Sequence, residues 1–426
     1  RLAPLSQGRV NPDTKCIECP YHGWEFNTEG DVTSIPHIDR PDNVSKVQKA
    51  GGNVKTYPTH LVGDLIFVFL PSSLHGDMFP QSILPEHQYP ALSKFTKDGS
   101  SPFFVRELPY SFDFLVENFM DPSHIPYAHH KLQSKREDAS SMVTKELVSN
   151  FTHVEVAFQD ITSGRHRDAY ASFQRPSLYH FGEYKSEDNK DEATGKKGRV
   201  PSLIIPCAPV EAGKCRIFLP DFKVPLPLPT CLLHAGSNRF LNSDVWLHDT
   251  EWEVVRRKAA TDAESQGSKS TSKTKLAGLD YIYASRSDLG VSSFRKWWLK
   301  HGMANAPQNS FSMATMQGLR ETNSNRLSRG DQIDPWKHHV KHCSRCRKDL
   351  KRLKKGQALC LFVAIAFTTL IRGGIPGTSR TRQLVGIAGA SIGFFARNLL
   401  KRFATVMEGN PERSGVGDRS TAASAE

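Results

Sequence analysis

Nine residues, Asp121-Pro-Ser-His124-Ile-Pro-Tyr-Ala-His129, constrain the fold of this chain more than any other stretch. Two imidazoles and a carboxylate can occupy one face of an octahedral iron(II) and leave positions open for oxygen and substrate. Pro122 and Pro126 bend the run, so it is not the i, i+4 histidine pair of a continuous H-E-x-x-H helix. Just upstream, Phe112, Leu115, Val116 and Phe119 share one helical face, and Asn118 stands one turn before Asp121 on the same side. The fold must therefore end a helix at a kinked, ligand-bearing turn. His130 competes with His129 for the second imidazole position.

The rest of the chain bounds what can surround that turn. Its 426 residues correspond to two or three domains. With 23% charged and 38% hydrophobic residues it is neither polytopic nor wholly disordered. Eight cysteines are too few for a disulfide scaffold, so metal or redox roles come first. Residues 1–100 are rich in turns and short strands, with Leu65–Leu70 a compact apolar run before Pro71. Residues 101–250 mix strands and helices. Residues 262–275 form a low-complexity polar linker, and residues 281–310 are helical, with Phe294, Trp297 and Trp298 clustered.

The net charge of +12 points to acidic partners, and its location selects among them. Nine Lys/Arg lie between Trp336 and Lys355, immediately before two apolar runs, Gly356–Ile371 and Gln383–Ala396. The runs have 16 and 14 residues, against about 20 for a full span. Flanking Lys and Arg can snorkel, so a membrane hairpin is expected; two buried core helices are the alternative. The basic run fits an anionic membrane surface better than nucleic acid, because it lacks interleaved aromatics. The tail after Glu408 is polar.

Cys19-Pro-Tyr-His22-Gly-Trp24 offers a thiolate and an imidazole at a spacing that lets one tight loop present both to a metal. Two further ligands are required. A Rieske cluster takes two Cys on one iron and two His on the other, from two such loops. Cys16 forms a C-x-x-C with Cys19, but no second ligand pair for zinc lies nearby, and Cys16 is given no ligand role.

CPYHGW followed by Phe26, together with D-x-x-H-x-x-x-x-H, resembles the Rieske-type non-haem iron oxygenases. RLAPLSQGRV resembles the continuation of that family's first Rieske loop, C-x-H, which would place one Cys and one His upstream of Arg1. The resemblance implies an α+β fold in five parts: an all-β Rieske iron-sulfur domain (1–100), truncated at its start; an α+β, helix-grip-like catalytic domain (101–335); a basic segment (336–355); a hydrophobic helical hairpin (356–400); and a polar tail (401–426). It makes Cys19 and His22 ligands of a 2Fe-2S cluster, and His124 and His129 ligands of a mononuclear non-haem iron(II). Asp121 becomes the carboxylate bridging that iron to a Rieske histidine, usually across a subunit boundary in a homo-trimer, with Asn118 in support. The third iron ligand falls in LNSDVWLHDTE, where Asp244 aligns as the carboxylate and Glu251 takes the family's Gln/Glu position; Asp249 is the alternative.

Cys343-Ser-Arg-Cys346 sits among cations that favour thiolate. Zinc bound by this pair with His338, His339 or His342 would be cramped within one short run. A C-x-x-C just before C-terminal apolar segments resembles the plastid branch that contains pheophorbide a oxygenase and the translocon-associated Rieske subunit, where the pair responds to thioredoxin. The resemblance then implies a chloroplast membrane protein, in the inner envelope or thylakoid, with ferredoxin as electron donor and dioxygen as co-substrate. A tetrapyrrole, with pheophorbide a foremost, is the expected substrate. The alternatives are a hydroxylase of another hydrophobic substrate and a redox-sensing subunit of the inner-envelope translocon. With nine Lys/Arg before the hairpin and three Arg in its loop, the positive-inside trend keeps the catalytic part in the stroma.

Overall fold

The computed structural model describes residues 3–40, 43–62, 65–68, 103–160, 167–175, 177–184, 199–211, 213–220, 229–254, 281–303, 326–372 and 380–409. The polar insertions Ser186–Arg199 (all but its last residue) and Asp262–Lys275, the hairpin loop 373–379 and the tail from 410 lie outside them. The chain forms two compact units, Arg1–Ser100 and Ser101–Glu426.

The first unit is a four-stranded antiparallel meander of β1 (Arg9–Val10), β2 (Ile17–Glu18), β3 (Glu25–Phe26) and β4 (Val32–Ser34), with a separate pair, β5 (Thr59–Val62) and β6 (Leu65–Val68). Leu65–Val68 is a strand as its composition requires, and Leu65 and Val62 are buried. The β2–β3 connection holds Cys19 and His22. Its backbone closes through Cys19 N–H to Trp24 O (2.7 Å) and Gly23 N–H to Cys19 O (3.0 Å). Gly23 sits at φ +70°, a left-handed turn that favours glycine.

The second unit is built on seven antiparallel strands: β7 (Phe103–Leu108), β8 (Val143–Ser149), β9 (His153–Asp160), β10 (Arg167–Gln174), β11 (Leu178–Tyr184), β12 (Arg199–Glu211) and β13 (Lys214–Pro220). Strands β8 to β13 run as a simple meander, and β7 pairs with β13 at the far edge. The chain after β7 must therefore cross the sheet to begin β8. That crossing carries α1 (Phe112–Phe119) and the ligand-bearing turn. Cys215, Ile217 and Leu219 of β13 alternate inward and pack with Phe112, Leu115 and Val116.

Helices cover that face. α2 (Thr230–Asn242) is tied to β7 by the buried Arg106, which donates to Asn238 O (2.8 Å) and Asn242 Oδ1 (2.6 Å). α3 (Leu289–Trp297) contributes Phe294 and Trp297, which cluster with Trp298 at 5.7–6.5 Å between ring centroids. Gly290 lets α3 start hard against the chain after α1, because a Cβ there would lie 2.0 Å from Met120 O. Buried Arg295 pairs with Asp113 (2.6 Å) and with Glu117, joining α3 to α1.

The C-terminal segment is two 29-residue helices, α4 (Ser344–Arg372) and α5 (Arg380–Glu408). They pack antiparallel: Gly356 faces Leu400, Gly389 faces Phe367, and Lys354 pairs with Glu408 at 2.5 Å. The helices are much longer than the apolar runs that suggested them, because most of the basic segment is itself the start of α4. The hairpin also packs through Cys346, Leu350, Ala404 and Met407 against Cys231 of α2, so it belongs to the second unit. Leu359, Phe362, Leu384, Ile392 and Phe395 face outward, and Gln383–Glu408 is long and apolar enough to cross a membrane.

A candidate metal centre

Asn118 occupies the last turn of α1 and is buried. The helix stops at Met120, and Asp121 caps the next turn, Pro122–His124, by accepting the Ser123 N–H at 2.9 Å. Pro122 and Pro126 each stand at the start of a fresh turn, where a missing N–H costs little. The two histidines thereby come from two successive turns rather than one helix face. From the far side, α2 ends at Asn242 and delivers Ser243 and Asp244. His124, His129 and Asp244 each bring a donor atom within 4.8 Å of the others.

The hydrogen bonds set which nitrogen each ring presents. His124 Nδ1 donates to Asp121 O, leaving Nε2 with its lone pair. Ser243 Oγ spends its proton on Phe240 O (2.5 Å), so it accepts from His129 Nδ1 at 2.8 Å. His129 Nε2 then lies 3.4 Å from Asp244 Oδ2, and Asn118 Nδ2 donates weakly to the same oxygen at 3.4 Å. Phe240 stacks on the His129 ring at 4.1 Å, which fixes its plane.

Burial, with the nearby His124, lowers the His129 pKa to about 4, so the ring is neutral and ready to ligate. Burial raises Asp244 to about 6 against the opposing pull of His124 and Asn118. Asp244 Oδ1 is a buried carboxylate oxygen with no hydrogen-bond partner among the described residues. An orphaned acceptor and two lone-pair nitrogens converging in a largely buried site are what a divalent cation would satisfy, so the donor set fits iron(II).

Asp249 points elsewhere, to Arg326 Nε (2.8 Å) and Gln332 Nε2 (3.0 Å). His130 Nδ1 accepts from Arg136 N at 3.1 Å. Glu251 is buried and holds the Ser111 N–H (2.8 Å) and hydroxyl at the start of α1. Asp121 lies outside the three-residue cluster, half-buried beside it. In the first unit, His22 is exposed and Cys19 half-buried on their hairpin loop, and Thr33 Oγ1 reaches Cys16 Sγ at 3.5 Å. Cys343 and Cys346 meet His234 and His339. The hydrogen bond from Cys346, with those two imidazoles, holds the Cys343 thiol well below its usual range. Ser243 and His234 escape sequence reading because only the tertiary fold gives them partners; the adjacency of Ser243 to Asp244 was the one available signal.

Residues 1–58 match the family of the Rieske [2Fe-2S] domain. The chain is 27% identical over 393 residues to protochlorophyllide-dependent translocon component 52, chloroplastic, of Arabidopsis thaliana, covering 83% of this chain and 65% of that protein. It is 27% identical over 431 residues to pheophorbide a oxygenase, chloroplastic, of Oryza sativa subsp. japonica (95% and 75%). It is also 26% identical over 428 residues to flavonoid 8-hydroxylase 2, chloroplastic, of Ocimum basilicum (95% and 74%). The chain thus spans less than two thirds of the first relative's length.

Proposed function

From its place in the plastid branch of Rieske-type non-haem iron oxygenases, we propose that this chain is a mono-oxygenase inserting one atom of dioxygen into a flat, hydrophobic tetrapyrrole, with pheophorbide a foremost. The observation that carries the reading is the convergence of His124, His129 and Asp244 in a chain whose first residues match a Rieske domain. A purely regulatory subunit has no need of such a set.

His124, His129 and Asp244 would hold iron(II) through the two Nε2 atoms and the Asp244 carboxylate. Cys19 and His22 would supply two of the four ligands of the 2Fe-2S cluster. When bound, the cluster stores one electron at a time from a ferredoxin-type donor and the iron provides open positions where dioxygen is activated. Asp121 O holds the His124 tautomer, and the Asp121 carboxylate would bridge towards a Rieske histidine of a neighbouring subunit in a homo-trimer. Asn118 steadies Asp244, and Ser243 with Phe240 fixes His129. Burial of His129 and Asp244 keeps water and stray protons from the ligand atoms.

The hairpin would attach the protein to the inner envelope or thylakoid, with the catalytic unit and Cys343–Cys346 in the stroma, where ferredoxin and thioredoxin are found. A second reading, hydroxylation of a flavonoid-like substrate, draws on the likeness to the basil hydroxylase. The test is product mass spectrometry under isotopically labelled dioxygen with reduced ferredoxin, offering pheophorbide a, protochlorophyllide and a flavone in parallel. Label in pheophorbide a product supports the proposal; label only in the flavone selects the second reading; oxygen consumption without labelled product from any of them removes both.

A further inference from the structure

At the opposite end of α2 from Asp244, a second group of metal-capable side chains converges. His234 of α2, His339 in the turn Trp336–Val340, Cys343, and Cys346 in the first turn of α4 each place a donor atom within 4.8 Å of the others. His234 Nδ1 lies 3.0 Å from His339 Nε2 and 3.1 Å from Cys346 Sγ. His339 Nε2 is 3.3 Å from Cys346 Sγ, and Cys343 Sγ is 3.8 Å from His234 Nδ1. A tetrahedral ion with bonds of about 2.3 Å to sulfur and about 2.0 Å to nitrogen separates its ligands by about 3.3–3.8 Å.

The protons do not suffice to join these atoms otherwise. His339 Nδ1 donates to Val105 O at 2.6 Å, so His339 Nε2 carries a lone pair. The Cys346 N–H points at Cys343 Sγ at 3.5 Å, which supports negative charge on that sulfur. The start of α4 adds its dipole in the same sense. A proton on the Cys346 thiol can go to only one of the two imidazole nitrogens, and a proton on His234 Nδ1 to only one of its neighbours, so thiol and imidazole protons together leave lone pairs of the cluster facing one another. His234, His339 and Cys346 are each 1% exposed, so water does not relieve the remaining lone pairs. A dication with two thiolates is neutral overall, which suits both the burial and the surrounding Lys and Arg.

We propose that His234, His339, Cys343 and Cys346 form a tetrahedral structural zinc site that fastens α2 and, through Val105, the sheet edge β7 to the base of the C-terminal hairpin. Two nitrogens and two sulfurs in a tetrahedral array select zinc among the common divalent ions, and four protein ligands close its shell to catalysis. The sequence argument against zinc was that one short run could not supply four ligands; the structure draws the fourth from more than a hundred residues away. His234, His339 and Cys346 also border a cleft of about 1020 Å³.

The test is elemental analysis of the full chain, purified under anaerobic conditions without chelators or a metal-affinity matrix, beside Cys343→Ser, Cys346→Ser and His339→Ala. One zinc per wild-type chain is expected, lost in all three variants, while iron bound through His124 is retained in Cys343→Ser. X-ray absorption at the zinc edge of the wild type should give two sulfur and two nitrogen neighbours, a result that does not depend on whether any variant folds. Wild type without zinc, zinc indifferent to these substitutions, iron in its place, or a Cys343–Cys346 disulfide in the anaerobically purified chain would each overturn the proposal.

Discussion

A histidine can give a metal only the nitrogen whose proton is held elsewhere, and at His124 and His129 that choice belongs to Asp121 O and Ser243 Oγ. Ser243→Ala frees the His129 ring, and we expect roughly 10–100-fold weaker iron binding, measured by chelator competition. His124→Ala and Asp244→Ala should lose the mononuclear iron outright, whereas Asp249→Ala keeps it, because Asp249 is engaged with Arg326; iron analysis of the three variants decides. Since burial raises the Asp244 pKa to about 6, its proton competes with the metal below that value, and affinity should fall by at least about tenfold per pH unit there. Asp121→Asn should keep iron yet uncouple electron delivery, read as lost turnover with intact iron content. The histidines and Asp121 were legible in the sequence because nine contiguous residues hold them. Ser243 was not, since its role rests on a hydrogen bond across 114 positions of chain.

Elements divide the same way. α1 and the aromatic cluster of α3 were readable from helical spacing and from Phe294, Trp297 and Trp298. β13 alternates buried and half-buried residues and carries the period of a strand, but β11 does not: Leu178 and Tyr179 are buried in succession, so no period of two marks it. Nor does any local pattern reveal that β7 pairs with β13 across the whole meander. The start of α1 depends on Glu251, whose burial raises its pKa from 4.5 to about 7. An acid whose folded pKa exceeds its unfolded one binds more protons folded than unfolded between the two, so stability falls as pH rises from about 4.5 to about 7. The effect is about 3 kcal/mol at roughly 1.4 kcal/mol per unit. Denaturant unfolding of the wild type and Glu251→Gln across pH 4–8 should show the difference between them changing by that order, in that direction, and level above the upper value. Arg295→Ala leaves the half-buried Asp113 and Glu117 without their cation, and should destabilise in the same measurement, by at most about 3–5 kcal/mol, the cost of a broken buried pair.

For the whole molecule, the question is what covers the outer faces of α4 and α5. Phe362 is 70% and Phe395 72% exposed, on a hairpin whose second helix can span a bilayer by length and composition. The expected outcome is that alkaline carbonate leaves the protein in the membrane pellet and that protease digests the catalytic unit while a short C-terminal fragment stays behind; release by carbonate would exclude an integral anchor. The hairpin was visible in the sequence as two apolar runs, but its seat on the second unit was not, because Cys231, Val340 and Met407 carry no periodic mark. That seat has a mechanical meaning. α2 is a rigid rod of 13 residues, about 20 Å long, gripped by the hairpin near one end, braced over its last turns by Arg106 and holding the turn of Ser243 and Asp244 at the other end. A load applied where the hairpin is rooted would therefore be passed along a stiff strut to the carboxylate of the candidate metal centre.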